Sequence, residues 1–179
     1  VRLPRFIVGW LCDALIGSVA ARRRPDVTIG VRTATDYARP GSRLPAGEEP
    51  YLERWWVIPR NRWFNVYLHT IHRSDDDRAL HDHPWANMSI VLAGGYLEHR
   101  HGQPPAERRP GDVVLRGATA AHRLEILDPR PCWTLFVTGR ITRLWGFHCP
   151  RGWIPHTNFN ARDELGLTQG CGEDQEVRP

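Results

Sequence analysis

From Tyr51 onward the chain is built of short apolar runs closed by turn formers, with no helical pattern between them. The runs 53–58, 64–72, 88–92, 95–101, 112–115, 122–127, 133–138 and 144–148 are separated by Asn61-Arg62, Ser74-Asp75-Asp76-Asp77, Gly94-Gly95, Gln103-Pro104-Pro105, Pro110-Gly111, Asp128-Pro129 and Gly139-Arg140. Strands this short and this closely spaced pair antiparallel, as in a β-sandwich or barrel, whereas parallel pairing needs long crossovers. The fold class expected is therefore all-β.

The ends differ from this middle. Phe6, Ile7, Trp10, Leu11, Ala14, Leu15 and Val19 recur at three- and four-residue steps and predict an amphipathic helix. Asp13 within the apolar run and Arg22-Arg23-Arg24 just after it argue against a signal peptide, and the run is too short for a membrane span, which needs about 20 apolar residues. The helix is expected to lie on the domain or on a partner in a homodimer. Residues 22–50 read as an extended connection with one β-like segment at 27–31, and 161–179 as a polar, poorly ordered tail. Three segments follow: a helix and arm over 1–50, a barrel over 51–160, and the tail.

Composition narrows the function classes. With 179 residues, 41% hydrophobic and eight tryptophans, the chain can bury a core, and disorder is excluded for the middle. Every one of its 24 basic residues is arginine, for a formal charge of +4. Arg22-Arg23-Arg24 and Arg108-Arg109 are short clusters without interleaved aromatics, which argues against nucleic-acid binding. The four cysteines (Cys12, Cys132, Cys149, Cys171) form no CxxC pair, so no disulfide framework is expected, and a reducing cytoplasm is the default compartment.

Chemistry concentrates in the histidines. Side chains at i and i+2 of a strand share a face, so His81 and His83 can reach one point while Asp82 turns away. A third imidazole, His122, follows a Pro110-Gly111-Asp112 turn, an apolar strand and a turn of small residues, a strand–turn–strand able to return it toward the pair. Neutral imidazole suits iron, zinc, copper, nickel and manganese alike.

These motifs resemble those of the cupin superfamily, whose first motif runs G(x)5HxH(x)3–4E(x)6G and whose second runs G(x)5PxGxxH(x)3N. His81-x-His83 followed by Gly94 or Gly95 matches the first, and Gly111 with Gly117-x-Thr119-x-x-His122 the second, where Gly117 and Thr119 stand at the family's Pro and Gly. The stretch of about sixteen residues from Gly95 to Gly111 is short, as in compact bacterial or phage-type members. The resemblance spans residues 55–148 and implies an antiparallel double-stranded β-helix, a jelly-roll barrel. It also implies a metal held by His81, His83 and His122. The family's glutamate falls on Asn87 or Met88 and its terminal asparagine on Ile126. A three-histidine set without the glutamate resembles the thiol dioxygenase branch. It implies iron(II) first, with zinc, nickel or manganese as alternatives, and a neutral ligand set that favours small anionic or chelating substrates.

Around the ligands, Tyr67, His69, Ile71 and Arg73 share one strand face, and Leu68, Thr70 and His72 the other. If the first faces the interior, His69 and Tyr67 are proton-transfer candidates and Arg73 an anion anchor; if the second does, His72 is the pocket residue. Arg116, on the return toward His122, is the other anion candidate. Trp85 and His148 are expected to contact substrate, and Asn87 either to do the same or to offer its carbonyl oxygen to the metal as a fourth ligand. Cys149 beside His148 reads as filling, because strand neighbours point apart. The three aspartates 75–77 read as a solvated turn and not a calcium loop, which needs a Gly and a distal Glu. The expected function is a metal-dependent enzyme, a non-haem iron(II) dioxygenase first. The alternatives are metal-assisted isomerase, lyase or hydrolase chemistry, or a ligand-binding barrel without turnover. A metal-free sugar-nucleotide epimerase would need a Tyr acid such as Tyr67 or Tyr96.

Overall fold

A computed structural model of the chain describes residues 1–30, 50–75, 79–127, 130–160 and 170–171. Most of the expected arm, two of the three aspartates and nearly all of the expected tail lie outside the described residues. The elements are α1 (Arg5–Ser18), a 3-10 turn (Ala20–Arg22), β1 (Val27–Ile29), β2 (Leu52–Trp56), β3 (Asn65–Ile71), β4 (Leu80–His81), β5 (Asn87–Ala93), β6 (Tyr96–Arg100), β7 (Gln103–Arg108), β8 (Val113–Arg116), β9 (His122–Ile126), β10 (Cys132–Thr138), β11 (Gly146–Cys149), β12 (Gly152–Pro155) and α2 (His156–Phe159). The strands form two antiparallel sheets of six, ordered β1-β2-β3-β10-β5-β8 and β12-β11-β4-β9-β6-β7.

Three strands depart from expectation. Gln103-Pro104-Pro105 reads as a turn, yet it opens β7. It lies at the outer end of its sheet, where a residue without an N–H breaks no ladder. β12 arises by folding back on β11, and β4 is only two residues long, a length no periodicity can announce.

Alternation assigns the two faces of the first sheet. Leu52, Ile71, Val91 and Cys132 point inward and meet Tyr96 and Leu124 of the second sheet. Trp55, Leu68, Ile90 and Leu92 point outward, yet they too are buried, because α1 covers them with Leu11, Cys12 and Leu15. Leu68 is wholly inaccessible, and burying such a side chain is worth about 2 kcal/mol. The helix is rotated from the expected stripe: Phe6 and Trp10 face solvent at 77% and 69% exposure, while Val8 is buried. Apolar spacing marks a helix, but which apolar edge meets the sheet depends on how the helix is docked.

The chain start is anchored at a glycine. Leu3 N–H donates to Gly111 O (2.8 Å) and Val113 N–H to Val1 O (2.9 Å). Gly111 has φ +96°, and a Cβ there would sit 2.8 Å from Leu3 O, so the Pro110-Gly111 turn is needed both for its conformation and for this close approach.

Two side-chain expectations are corrected. Cys149 and Cys171 form a disulfide with Cα atoms 5.4 Å apart, so Cys149 is not simple filling; a bond spanning 22 residues leaves no local signature. Asp75 is not a solvated turn residue: its carboxylate accepts from Leu124 N–H at 2.6 Å.

Candidate metal centre

His81 and His122 are register partners on β4 and β9, and His83 follows just beyond β4, where its N–H donates to Ala118 O at 3.1 Å. The turn between β8 and β9, closed by Ala120 N–H to Gly117 O, carries both that carbonyl and His122. One potential ligand nitrogen from each of the three imidazoles lies within 4.8 Å of the others. The Nε2 atoms of His83 and His122 are 2.8 Å apart, close to the roughly 3 Å expected for two nitrogens each about 2.1 Å from one ion.

The surroundings keep these rings neutral. Burial pushes His122 down to about 4 against the pull of Glu98. Burial also holds His83 well below its ordinary value, helped by the neighbouring His122 and His81, and lowers His81 despite Asp75 and Asp82. A neutral imidazole keeps the lone pair that a metal ligand needs.

Behind His122 stands Glu98, a fully buried carboxylate that the sequence reading missed. Its Oε1 lies 3.3 Å from His122 Nδ1 and accepts from Arg116 Nε at 2.7 Å, and its Oε2 accepts from Arg108 Nε at 2.8 Å. Burial works to raise its pKa, but His122, Arg116 and Arg108 together hold it well below the usual carboxylate range. A carboxylate 3.3 Å from Nδ1 favours the tautomer protonated there and leaves Nε2 to face the other histidines. The available signal was the two-residue step from Tyr96 to Glu98 on one strand face.

Between the paired histidines Asp82 turns outward and is 1% exposed. Its carboxylate accepts from Gly146 N–H (2.8 Å), Trp153 Nε1 (3.0 Å) and Arg143 Nη1 (2.7 Å), and lies 3.2 Å from His148 Nε2. Burial favours protonating this carboxyl, but its four partners hold it below the ordinary value. Asp82 thus ties the residues between His81 and His83 to β11 and β12.

Two facing antiparallel sheets in this strand order, with two histidines beside β4 meeting a third from β9 inside, decide the fold. It is an antiparallel double-stranded β-helix, the jelly-roll barrel expected from the sequence. No family model matches the chain, and no curated protein matches it. Among solved structures, one similar protein is a conserved protein with a double-stranded β-helix domain from Klebsiella pneumoniae (18% identity, 65% of this chain, 95% of that one, TM-score 0.45). Another is a cupin-2 domain protein from Rhodospirillum rubrum (12%, 57% and 68%, TM-score 0.48). A third is KdgF from Halomonas (18%, 51% and 83%, TM-score 0.43).

The remaining candidates divide within the barrel. The inner face of β3 carries Tyr67 and His69, which resolves the choice of face; His72 points outward, 2.9 Å from Glu53. His69 stacks on Phe136 at 4.9 Å, and Phe136 meets Trp85, which lies flat on His83 at 4.8 Å. Asn87 is buried with Oδ1 3.4 Å from Arg116 Nη1, while its Nδ2 has no hydrogen-bond partner. Arg116 is committed to Glu98 at 2.6 Å. Two candidates are not brought to the histidines. Arg73 donates to Gly30 O and lies over Tyr51. His148 is exposed on the outer face with Asp82, because its neighbour Phe147 takes the inward position beside His81.

The donor set fits a divalent transition metal: three neutral imidazoles converge, one with a buried carboxylate behind it. No helix among the described residues is long and apolar enough to cross a membrane.

Proposed function

We propose that the chain is a metal-dependent cupin enzyme acting on a small anionic or chelating substrate, with non-haem iron(II) dioxygenase chemistry as its reaction class. The observation that carries this reading is the convergence of His81, His83 and His122 within 4.8 Å. These three residues would hold the ion. When bound, it would act as a Lewis acid and, as iron(II), give access to oxygen chemistry.

The chain's own residues prepare the rest. Glu98 orients His122, and its two arginine partners keep it ionised, so that it stays an acceptor. Trp85 and Phe136 cover His83 and exclude water from that side. The unpartnered Nδ2 of Asn87 is a donor available to substrate, because the amide oxygen is turned to Arg116. Among the residues offered for proton transfer, His69 is kept neutral by burial and by Arg54, whose Nε donates to its Nε2 at 2.8 Å, and Tyr67 stacks beside it at 5.8 Å.

Elemental analysis after reconstitution with iron, zinc, nickel or manganese is expected to find about one ion per chain. None after careful reconstitution would sink the reading. With iron(II) loaded, oxygen consumption with candidate thiols separates dioxygenase chemistry from isomerase, lyase or hydrolase chemistry, which would turn over without oxygen.

A further inference from the structure

Several described guanidiniums that reach into or brace the barrel are balanced, while Arg100, opposite His122 in register, keeps a buried Nε without a hydrogen-bond partner. Arg116 and Arg108 share Glu98, and Arg143 is paired with Asp82. Arg54 differs. It lies on the inner face of β2, two residues from inward Leu52 and opposite His69 in register. Among the described residues it has no carboxylate partner.

Its contacts are instead neutral. Nε donates to Nε2 of His69 at 2.8 Å, and the guanidinium carbon lies 4.7 Å over the Tyr67 ring. That geometry consumes one of the five N–H donors of a guanidinium and leaves the terminal pair without an acceptor among the described residues. The cation is also partly removed from water, a cost usually offset by an opposite charge. Arg60, stacked 5.5 Å from Trp56 on the register partner of Tyr67, adds a second positive charge instead of a negative one.

The position relative to the three histidines follows from a chain of ring contacts. Arg54 bonds His69, His69 stacks on Phe136, and Phe136 lies 6.4 Å from His83 edge to face. We propose that Arg54, held in orientation by His69, is the anion-binding group of the barrel, receiving a carboxylate or phosphate of the substrate in a two-point hydrogen bond. This rests on the metal-dependent reading above for the substrate's other end. It moves the anion anchor from Arg73 and Arg116, whose guanidiniums are engaged elsewhere, to a residue not singled out from the sequence. A planar fork with two free N–H groups on one edge matches both oxyanions.

The test titrates wild-type protein, metal-free and zinc-loaded, with succinate and separately with inorganic phosphate. The Arg54 Nε–Hε resonance of 15N-arginine-labelled protein and tryptophan fluorescence are followed. The resonance is expected to move with one of the two anions, and which one identifies the class. Arg54→Gln is expected to weaken that anion at least tenfold with zinc content unchanged, Arg54→Lys to recover part of the loss, and Arg73→Gln to have no effect. An Arg54 resonance indifferent to both anions in both states would overturn the proposal, as would undiminished binding by a folded Arg54→Gln. The wild-type resonance decides the matter even if that variant does not fold. Anion binding through Arg54 in protein that loads no metal would overturn the enzyme reading alone, whereas full metal loading with Arg54-independent binding would overturn this inference alone.

Discussion

Glu98 does two jobs that pull in one direction. It faces His122 Nδ1, and it is the counter-charge that makes Arg108 and Arg116 tolerable near the barrel interior. Glu98→Gln keeps the shape but leaves two guanidiniums without a full negative charge. Metal affinity is expected to fall by about 10- to 100-fold, read by zinc competition. Stability is expected to fall by about 3–5 kcal/mol, read by denaturant unfolding, because one side of a buried ionic group is removed. The histidines set a separate pH dependence in metal-free protein. His122 ionises near 4 when folded, below the ordinary 6.5, so the unfolded chain binds more protons between those values. The stability this residue contributes is fully present above about 6.5 and is lost as pH falls toward 4. Urea midpoints measured across that range are expected to decline, and a flat profile would contradict burial of the neutral ring. The convergence of these three histidines was legible from residue type and spacing alone. Glu98 and Arg54 were not, because a charged residue in a strand ordinarily faces water and only the enclosing sheets show otherwise.

β4 is short, and its orientation depends on what lies outside the barrel. Asp82 collects donors from Gly146, Trp153 and Arg143, so the HxH segment is fastened through its middle residue to β11 and β12. Asp82→Ala is expected to leave Arg143 without its partner and Gly146 N–H without an acceptor, costing about 3–5 kcal/mol. Because the segment carries two of the three histidines, zinc affinity is expected to fall as well. A variant that loses stability while binding zinc as before would show that β4 keeps its orientation without Asp82. Strand alternation alone sets Asp82 opposite to His81 and His83, but it names no partner for the outward carboxylate. Those partners lie more than 60 residues away. The same gap explains α1: the period was legible, while the buried edge was set by where Trp55, Leu68 and Leu92 project.

On the scale of the whole molecule, the Cys149–Cys171 bond joins β11 to a segment beyond α2, next to the cluster of Phe147, Cys149 and Phe159. Phe147 also faces His81, with ring centres 5.9 Å apart, so the bond closes a loop around one wall of the site. Cys171→Ser is expected to lower stability by about 3 kcal/mol through the freedom regained by the unfolded chain, read as a lower melting temperature. A thiol count on unreduced, denatured protein should give two free cysteines, Cys12 and Cys132; four would show the bond absent. By itself the sequence determined the all-β class, the helix at the start and the three histidines, since each rests on spacing within a few residues. Tertiary structure alone decided which charges are compensated, which face of β3 lines the barrel, and that two distant cysteines meet. Those outcomes depend on contacts between residues far apart in the chain, which local periodicity does not encode.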